Sequence, residues 1–168
     1  MQVHGALVQV QDVGVLLLGP SGVGKSETAL ELVTRGHRLV ADDVVELERD
    51  GERLVGRAPE RIRHYLEIRG LGILFIPELY GPQAVLAEGR VDLLCRLERD
   101  APGREYERVG LERAQETLAG VALPVVRLPV RAATSLGVIV EAAARDHCMR
   151  ARGPSAAARL DARFAEES

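Results

Sequence analysis

Apolar and polar positions sort this chain into short elements. Val3–Val10 and the unbroken apolar run Val13–Leu18 read as two strands, the second apolar enough to be buried on both faces. Gln11-Asp12 between them suits a tight turn. After a glycine-rich stretch, Ala29, Leu30, Leu32 and Val33 recur at helical spacing, and Gly36 is placed to stop that helix. Arg38–Ala41 resumes as a strand and ends on the pair Asp42-Asp43. Val44–Glu48 and Arg53–Val55 flank Arg49-Asp50-Gly51-Glu52, a hairpin signal because Asp-Gly accepts positive φ.

The second half is less regular. Pro59 with Glu60–His64 predicts a short helix, and Leu66–Phe75 is a mixed apolar and glycine segment interrupted at Arg69-Gly70. Leu79–Val85 contains Gly81-Pro82 and predicts irregular loop, whereas Val91–Leu97 reads as a strand. Residues 98–108 carry Glu98, Arg99, Asp100, Arg104, Glu105, Glu107 and Arg108 around Pro102-Gly103, the pattern of a mobile charged loop. Val121–Val130 holds Pro124 and Pro129, which predicts an edge or interrupted strand. Leu136–Met149 and Ala156–Ala165 have helical spacing and are separated by Gly153-Pro154.

Composition narrows the function. With 46% hydrophobic and 28% charged residues over 168 positions there is material for a core. Aromatics are 3% and Trp is absent, so the core is aliphatic and base-stacking platforms are not expected. A net charge of −3 gives no global field favouring a polyanion, and nucleic acid is not an expected partner. Cys95 and Cys148 are too few for a disulfide framework and form no C-x-x-C pair, so we expect a reducing compartment and no catalytic role for either. Met1–Gly5 does not open a secretion signal, and no apolar run approaches the ~20 residues that span a bilayer. The expectation is a cytoplasmic protein with no membrane partner.

The chemistry sits in Gly19-Pro20-Ser21-Gly22-Val23-Gly24-Lys25-Ser26, which fits the P-loop pattern G-x-x-x-x-G-K-[ST]. Its glycines let backbone N–H groups curl around phosphate oxygens, and the following helix adds its positive end. Lys25 can reach the β and γ phosphates, and the Ser26 hydroxyl can ligate Mg²⁺. Of 22 basic residues only Lys25 is lysine, at the one place that wants a compact point charge. Asp42-Asp43 ends the next strand. If that strand runs parallel to Val13–Leu18, the pair opens onto the same crevice, where one carboxylate can hold Mg²⁺ and the other accept a hydroxyl proton. The element order then predicts an α/β fold with a P-loop-containing mixed β-sheet core, flanking helices and a helical C-terminal tail. We expect a single domain over 1–168, its core at about 1–135 and its tail at about 136–166.

From His4-Gly5 to about Ala144 the chain resembles the catalytic domain of the HPr kinase/phosphorylase family, bacterial enzymes that phosphorylate a serine of the phosphocarrier HPr. The resemblance is carried by the P-loop continuing to Leu32, by residues 35–43, by Leu66-Glu67-Ile68-Arg69-Gly70-Leu71-Gly72-Ile73, by Tyr106–Leu111 and by Pro129-Val130-Arg131. It implies that residues 19–26 bind ATP, that Ser26 and Glu67 bind Mg²⁺, and that Asp42 or Asp43, with Asp43 favoured, is the general base. It also implies that His4 assists the aspartate and that Arg108 stands near the transferring phosphoryl group. Taken alone, His4 and Glu67 read as ordinary strand residues and Arg108 as a solvated loop charge.

The partners so implied are HPr or a related phosphocarrier, and further copies of the chain in a homohexamer. Family members often carry an N-terminal domain; this chain begins at the catalytic domain, as a short natural form or a truncated one. Pro129-Val130-Arg131 continues as Ala132-Ala133-Thr134-Ser135 where the family continues Pro-Gly-Arg-Asn, which weakens the expectation of reverse phosphorolysis. Two other functions fit a bare P-loop: an ATP-binding regulatory module and a small-molecule kinase of the same architecture.

Overall fold

The computed structural model describes residues 1–131 and 135–167, so the Ala132–Thr134 departure lies outside the described residues. β1 (Gln2–Val10) and β2 (Val13–Leu18) form an antiparallel hairpin whose turn is closed by Gln11 at φ 55°. The P-loop leads into α1 (Lys25–Thr34), and β3 (Arg38–Ala41) returns antiparallel to β1. Strands β2 and β3 therefore run the same way with β1 between them, and Asp42-Asp43 does emerge at the same end of the sheet as the P-loop.

β4 (Val44–Asp50) pairs antiparallel with the first residues of β1 and with β5 (Arg53–Arg57), across a turn holding Gly51 at φ 64°. Beyond a single 3₁₀ turn at Glu60–Ile62, the Leu66–Phe75 segment is a separate hairpin of β6 (Tyr65–Ile68) and β7 (Gly72–Phe75). The expected loop at Leu79–Val85 is instead mostly turn helix: α2 (Ile76–Tyr80) and a 3₁₀ turn at Pro82–Ala84. Pro77 and Pro82 stand at the starts of these turns, where a fixed φ and a missing N–H cost nothing.

The chain re-enters the sheet as β8 (Glu88–Arg90), β9 (Leu93–Arg99), β10 (Ala114–Leu118) and β11 (Val121–Val130). Among the described residues the main sheet has nine strands in the order β10-β11-β9-β2-β1-β4-β5-β8, with β3 also on β1. β9 is parallel to both β2 and β11 and runs two residues past the strand read from sequence, so the charged segment leaves the sheet at Asp100. β11 has neighbours on both sides, yet its prolines obey the edge rule. β10 pairs only Val121–Val125 and β9 only Val125–Val130. Each proline thus lies where one flank is free, and no ladder bond needs its missing N–H. β10 itself, the mostly exposed polar stretch Ala114–Leu118, carried no strand signal.

Alternate residues of β1 and β2 feed two cores. Ala6, Val8, Val10, Val13, Val15 and Leu17 pack against α1 and α3 (Leu136–Arg152). Leu7, Leu16 and Leu18 join Val45, Leu47 and Leu54 of the β4–β5 wing and Leu118, Val121 and Leu123 of the β10–β11 wing. α3 is clipped to α1: Glu31 accepts hydrogen bonds from Ser135 Oγ and the Gly137 N–H, and Glu141 accepts from Arg35. α4 (Ala156–Glu167) follows and has no buried residue.

Candidate active site

β2 ends at Leu18, and the chain then turns tightly along the end of β9. A Cβ on Gly19 would lie 2.5 Å from the Leu97 carbonyl oxygen, so only glycine fits there. Gly22 and Gly24 hold φ of 80° and 111°, values that let successive N–H groups face one concavity. α1 opens at Lys25 without a side-chain cap, leaving its first-turn N–H groups for an anion. Lys25 Nζ donates to the carbonyl oxygens of Gly19 at 2.5 Å and Pro20 at 3.1 Å, which places its tip over the mouth of the loop. Partial burial lowers the Lys25 pKa against the raising pull of Asp43 and Asp42, and Arg99 lowers it further.

The aspartates stand between β3 and β4, past the register shift that separates Leu39 from Ala41. Ala41 faces Leu7 and Val44 faces His4, so residues 41–44 track β1 as one strand would. Within that stretch Asp43 takes φ 70°, and the Val44 N–H closes on the Asp42 carbonyl at 2.9 Å, a three-residue turn that costs strain. The Asp43 carbonyl in turn accepts from the Gly5 N–H at 3.0 Å.

The turn sends the two side chains to different environments. Asp42 is 5% exposed, and Ser26 Oγ donates to its Oδ1 at 2.8 Å, with Oδ2 at 3.1 Å. Burial pushes its carboxyl up to about 6, against the opposing pull of the Ser26 hydroxyl and the backbone N–H groups of Glu67 and Asp43. Asp43 is exposed.

One cleft of about 660 Å³ is lined by His4, Gly19, Ser21, Gly22, Gly24, Lys25, Ser26, Glu27, Asp42, Asp43, Glu67 and Arg69. The structure therefore brings together His4, the P-loop, both aspartates and Glu67. It does not bring Arg108 there. Arg108 lines a separate cavity of about 720 Å³ toward α3 and α4. Its loop is held at that distance: Glu107 accepts from the N–H groups of Val109 and Gly110, the Gly110 carbonyl accepts from Arg150, and Arg113 pairs with Asp146.

Sequence reasoning also left two cations unassigned. Arg69 lines the cleft from the β6–β7 turn, and Arg99 donates to the Ser21 carbonyl at 2.9 Å. No local signal marks Arg99, because its place depends on β9 lying beside β2. A larger polar depression of about 860 Å³, with Arg35, His37, Arg38 and Glu141, lies at the opposite end of α1 and has neither glycine loop nor aspartate pair.

The oxygens of Ser26, Asp42, Asp43 and Glu67 suit Mg²⁺, a hard cation that keeps several waters and leans on one or two protein ligands plus phosphate. Among the described residues no group of three or more His, Cys, Asp or Glu side chains could cage an ion without such help.

A loop built for phosphate, joined through Ser26 to a buried aspartate, agrees with comparison against known proteins. The family model of the HPr Serine kinase C-terminal domain matches residues 1–164. The chain belongs to this family. It is 50% identical over 165 residues to the HPr kinase/phosphorylase of Geobacillus thermodenitrificans (strain NG80-2), a match covering 98% of this chain and 53% of that protein. The HPr kinase/phosphorylase of Bacillus pumilus (strain SAFR-032) is 48% identical over 165 residues, with the same coverage. The chain thus spans about half the length of the curated relatives it matches. Among solved structures, the HPr(Ser) kinase/phosphatase from Coxiella burnetii superposes with a TM-score of 0.83 at 29% identity, covering 91% of this chain and 99% of that one. The mixed α/β architecture is that of the HPr kinase C-terminal domain. No helix among the described residues is long and apolar enough to cross a membrane.

Proposed function

We propose that this HPr kinase C-terminal domain is an ATP- and Mg²⁺-dependent protein serine kinase whose acceptor is a serine of HPr or a related phosphocarrier. The observation that carries the reading is the join between P-loop and aspartate pair. Ser26 Oγ–H donates a hydrogen bond to Asp42, which leaves its oxygen lone pairs for a cation, while the next residue, Asp43, faces the open cleft. Mg²⁺ would be held by Ser26 and Glu67 and would neutralise phosphate charge as the γ-phosphoryl group departs. Lys25 and the 19–26 backbone orient ATP. Asp43 takes the serine proton, His4 supports it from β1, and the rest is positioning and charge neutralisation.

One observation favours the neighbouring residue as base: Asp42, with its carboxyl raised to about 6, is tuned nearer to neutral pH. Access argues for Asp43, since both Asp42 oxygens already accept from Ser26. By the resemblance of its sequence the domain would act within a homohexamer, and exposed Ile139 and Leu160 on α3 and α4 offer apolar surface for such contacts. Light scattering on a sizing column reads the assembly directly.

The test of function is mass spectrometry of HPr after incubation with the protein and Mg·ATP, beside Lys25→Ala. One phosphate on a serine, absent with the variant, is the expected result. ATP hydrolysis with no modified acceptor would favour a regulatory module instead.

A further inference from the structure

Arg99 stands where a chain built on Lys25 alone would need no second cation. It is the last residue of β9, and β9 lies beside β2 on the flank away from β1, opposite the aspartates. With Leu18 in register with Arg96, the end of β9 runs alongside the P-loop itself. One guanidinium nitrogen donates to the Ser21 carbonyl at 2.9 Å and would lie 3.4 Å from a Cβ on Gly22.

A guanidinium has five N–H donors in a fixed fork, and among the described residues this single bond is the one side-chain hydrogen bond that Arg99 makes. Lys25 reaches back to the carbonyls of Gly19 and Pro20, so the two cations meet the same rim of the loop, the rim a lysine uses for β and γ phosphates. The Arg99 carbonyl accepts from Arg104, and the next residue, Asp100, pairs with Arg131 at 2.7 Å. The residue touching the P-loop is thus also the root of the charged 100–113 segment.

We propose that Arg99 is a second phosphate-positioning cation, meeting the terminal phosphate of a bound nucleotide from the side opposite Asp42 and Asp43. The inference rests on the nucleotide site proposed above and adds to it a residue that makes the site sense the last phosphate. With the loop filled, two cations that repel one another share one anion, so Arg99 is held more firmly and the root of the charged segment with it. The phosphate charge so neutralised is the charge that grows on the transferring group.

The test is binding of fluorescent ATP and ADP analogues, with Mg²⁺, to the wild type, Arg99→Ala, Arg99→Lys and Lys25→Ala, with unfolding without nucleotide as control. Arg99→Ala should weaken the triphosphate by about tenfold or more, as for loss of a charge-assisted bond, and the diphosphate far less. Arg99→Lys should recover part of the discrimination. Equal weakening of both nucleotides would make Arg99 a brace for the loop and overturn the proposal, as would unchanged binding of both. Should Arg99→Ala not fold, Arg99→Lys and Arg99→Gln decide by the same ratio. Absence of nucleotide binding in the wild type would instead overturn the nucleotide site, which separates the two failures.

Discussion

Ser26 Oγ donates to Asp42 Oδ1 at 2.8 Å and so ties the first turn of α1 to the turn between β3 and β4. A hydroxyl that donates a hydrogen bond to a buried carboxylate keeps its lone pairs outward. Ser26→Ala should therefore cost more than a cation ligand, because Asp42 also loses its side-chain donor and its pKa rises further. Transfer should fall by about a hundredfold, with the loss only partly recovered by raising Mg²⁺, when initial rates are measured against metal concentration.

Asp42 makes stability depend on pH in an unusual sense. Its folded carboxyl lies near 6 against 3.8 for the free group, so from about pH 4 to 6 the folded state holds a proton that the unfolded chain has lost. Stability contributed at this residue is greatest below that window and is lost as pH rises through it, by on the order of 3 kcal/mol. Asp42→Asn should abolish this component and melt higher than the wild type at pH 7.5. A wild type whose Tm difference from the variant stays constant from pH 4.5 to 7.5 would contradict the burial argument.

Asp43 sits at φ 70°, a conformation asparagine tolerates nearly as well as aspartate. Asp43→Asn consequently removes the charge with little backbone disturbance. Nucleotide binding should survive while transfer drops by about a hundredfold or more. Turnover retained in this variant, with an acid limb still near pH 6, would hand the role of base to Asp42.

Gly5 is hemmed in on both sides, its N–H bonded to Asp43 and its missing Cβ only 2.6 Å from the Leu17 carbonyl oxygen. Gly5→Ala pushes β1 off β2 at the point where Asp43 is held. Expected are a loss of about 1–3 kcal/mol in denaturant unfolding and a larger proportional loss of transfer than of ATP binding.

Glu141 titrates in the ordinary sense. Hydrogen bonds from Arg35 and His37 hold its carboxyl down at about 2, so the clip between α1 and α3 contributes above pH 4.5 and is lost as pH falls through 2. Glu141→Gln should lower Tm by a few degrees at pH 7 and leave the melting temperatures closer together in acid.

Turn chemistry was legible where it is local. Asp50-Gly51 closes the β4–β5 hairpin, and Gly36, at φ 93°, follows α1 as expected. The missed strand β10 is a mostly exposed polar stretch held by pairing with β11, by Arg96 of β9 on Glu116 and by buried Leu118, contacts that no periodicity within residues 114–118 records. Pro124 and Pro129 signalled a free edge correctly, but the edge is divided between the two flanks of a strand inside the sheet, which is a matter of register.

By itself the sequence determined the phosphate loop, the helix behind it and the aspartate pair at the end of the next strand, because each follows from backbone and side-chain requirements within a few residues. The tertiary structure decided which charges meet the P-loop. It set Arg99 against Ser21 and turned Arg108 toward α3 and α4, although both lie in or beside one charged segment of the sequence. It also divided two adjacent aspartates into a buried partner of Ser26 and an exposed carboxylate. Both outcomes depend on which strands lie side by side and which face the core covers, and such neighbours, distant along the chain, leave no trace in local pattern.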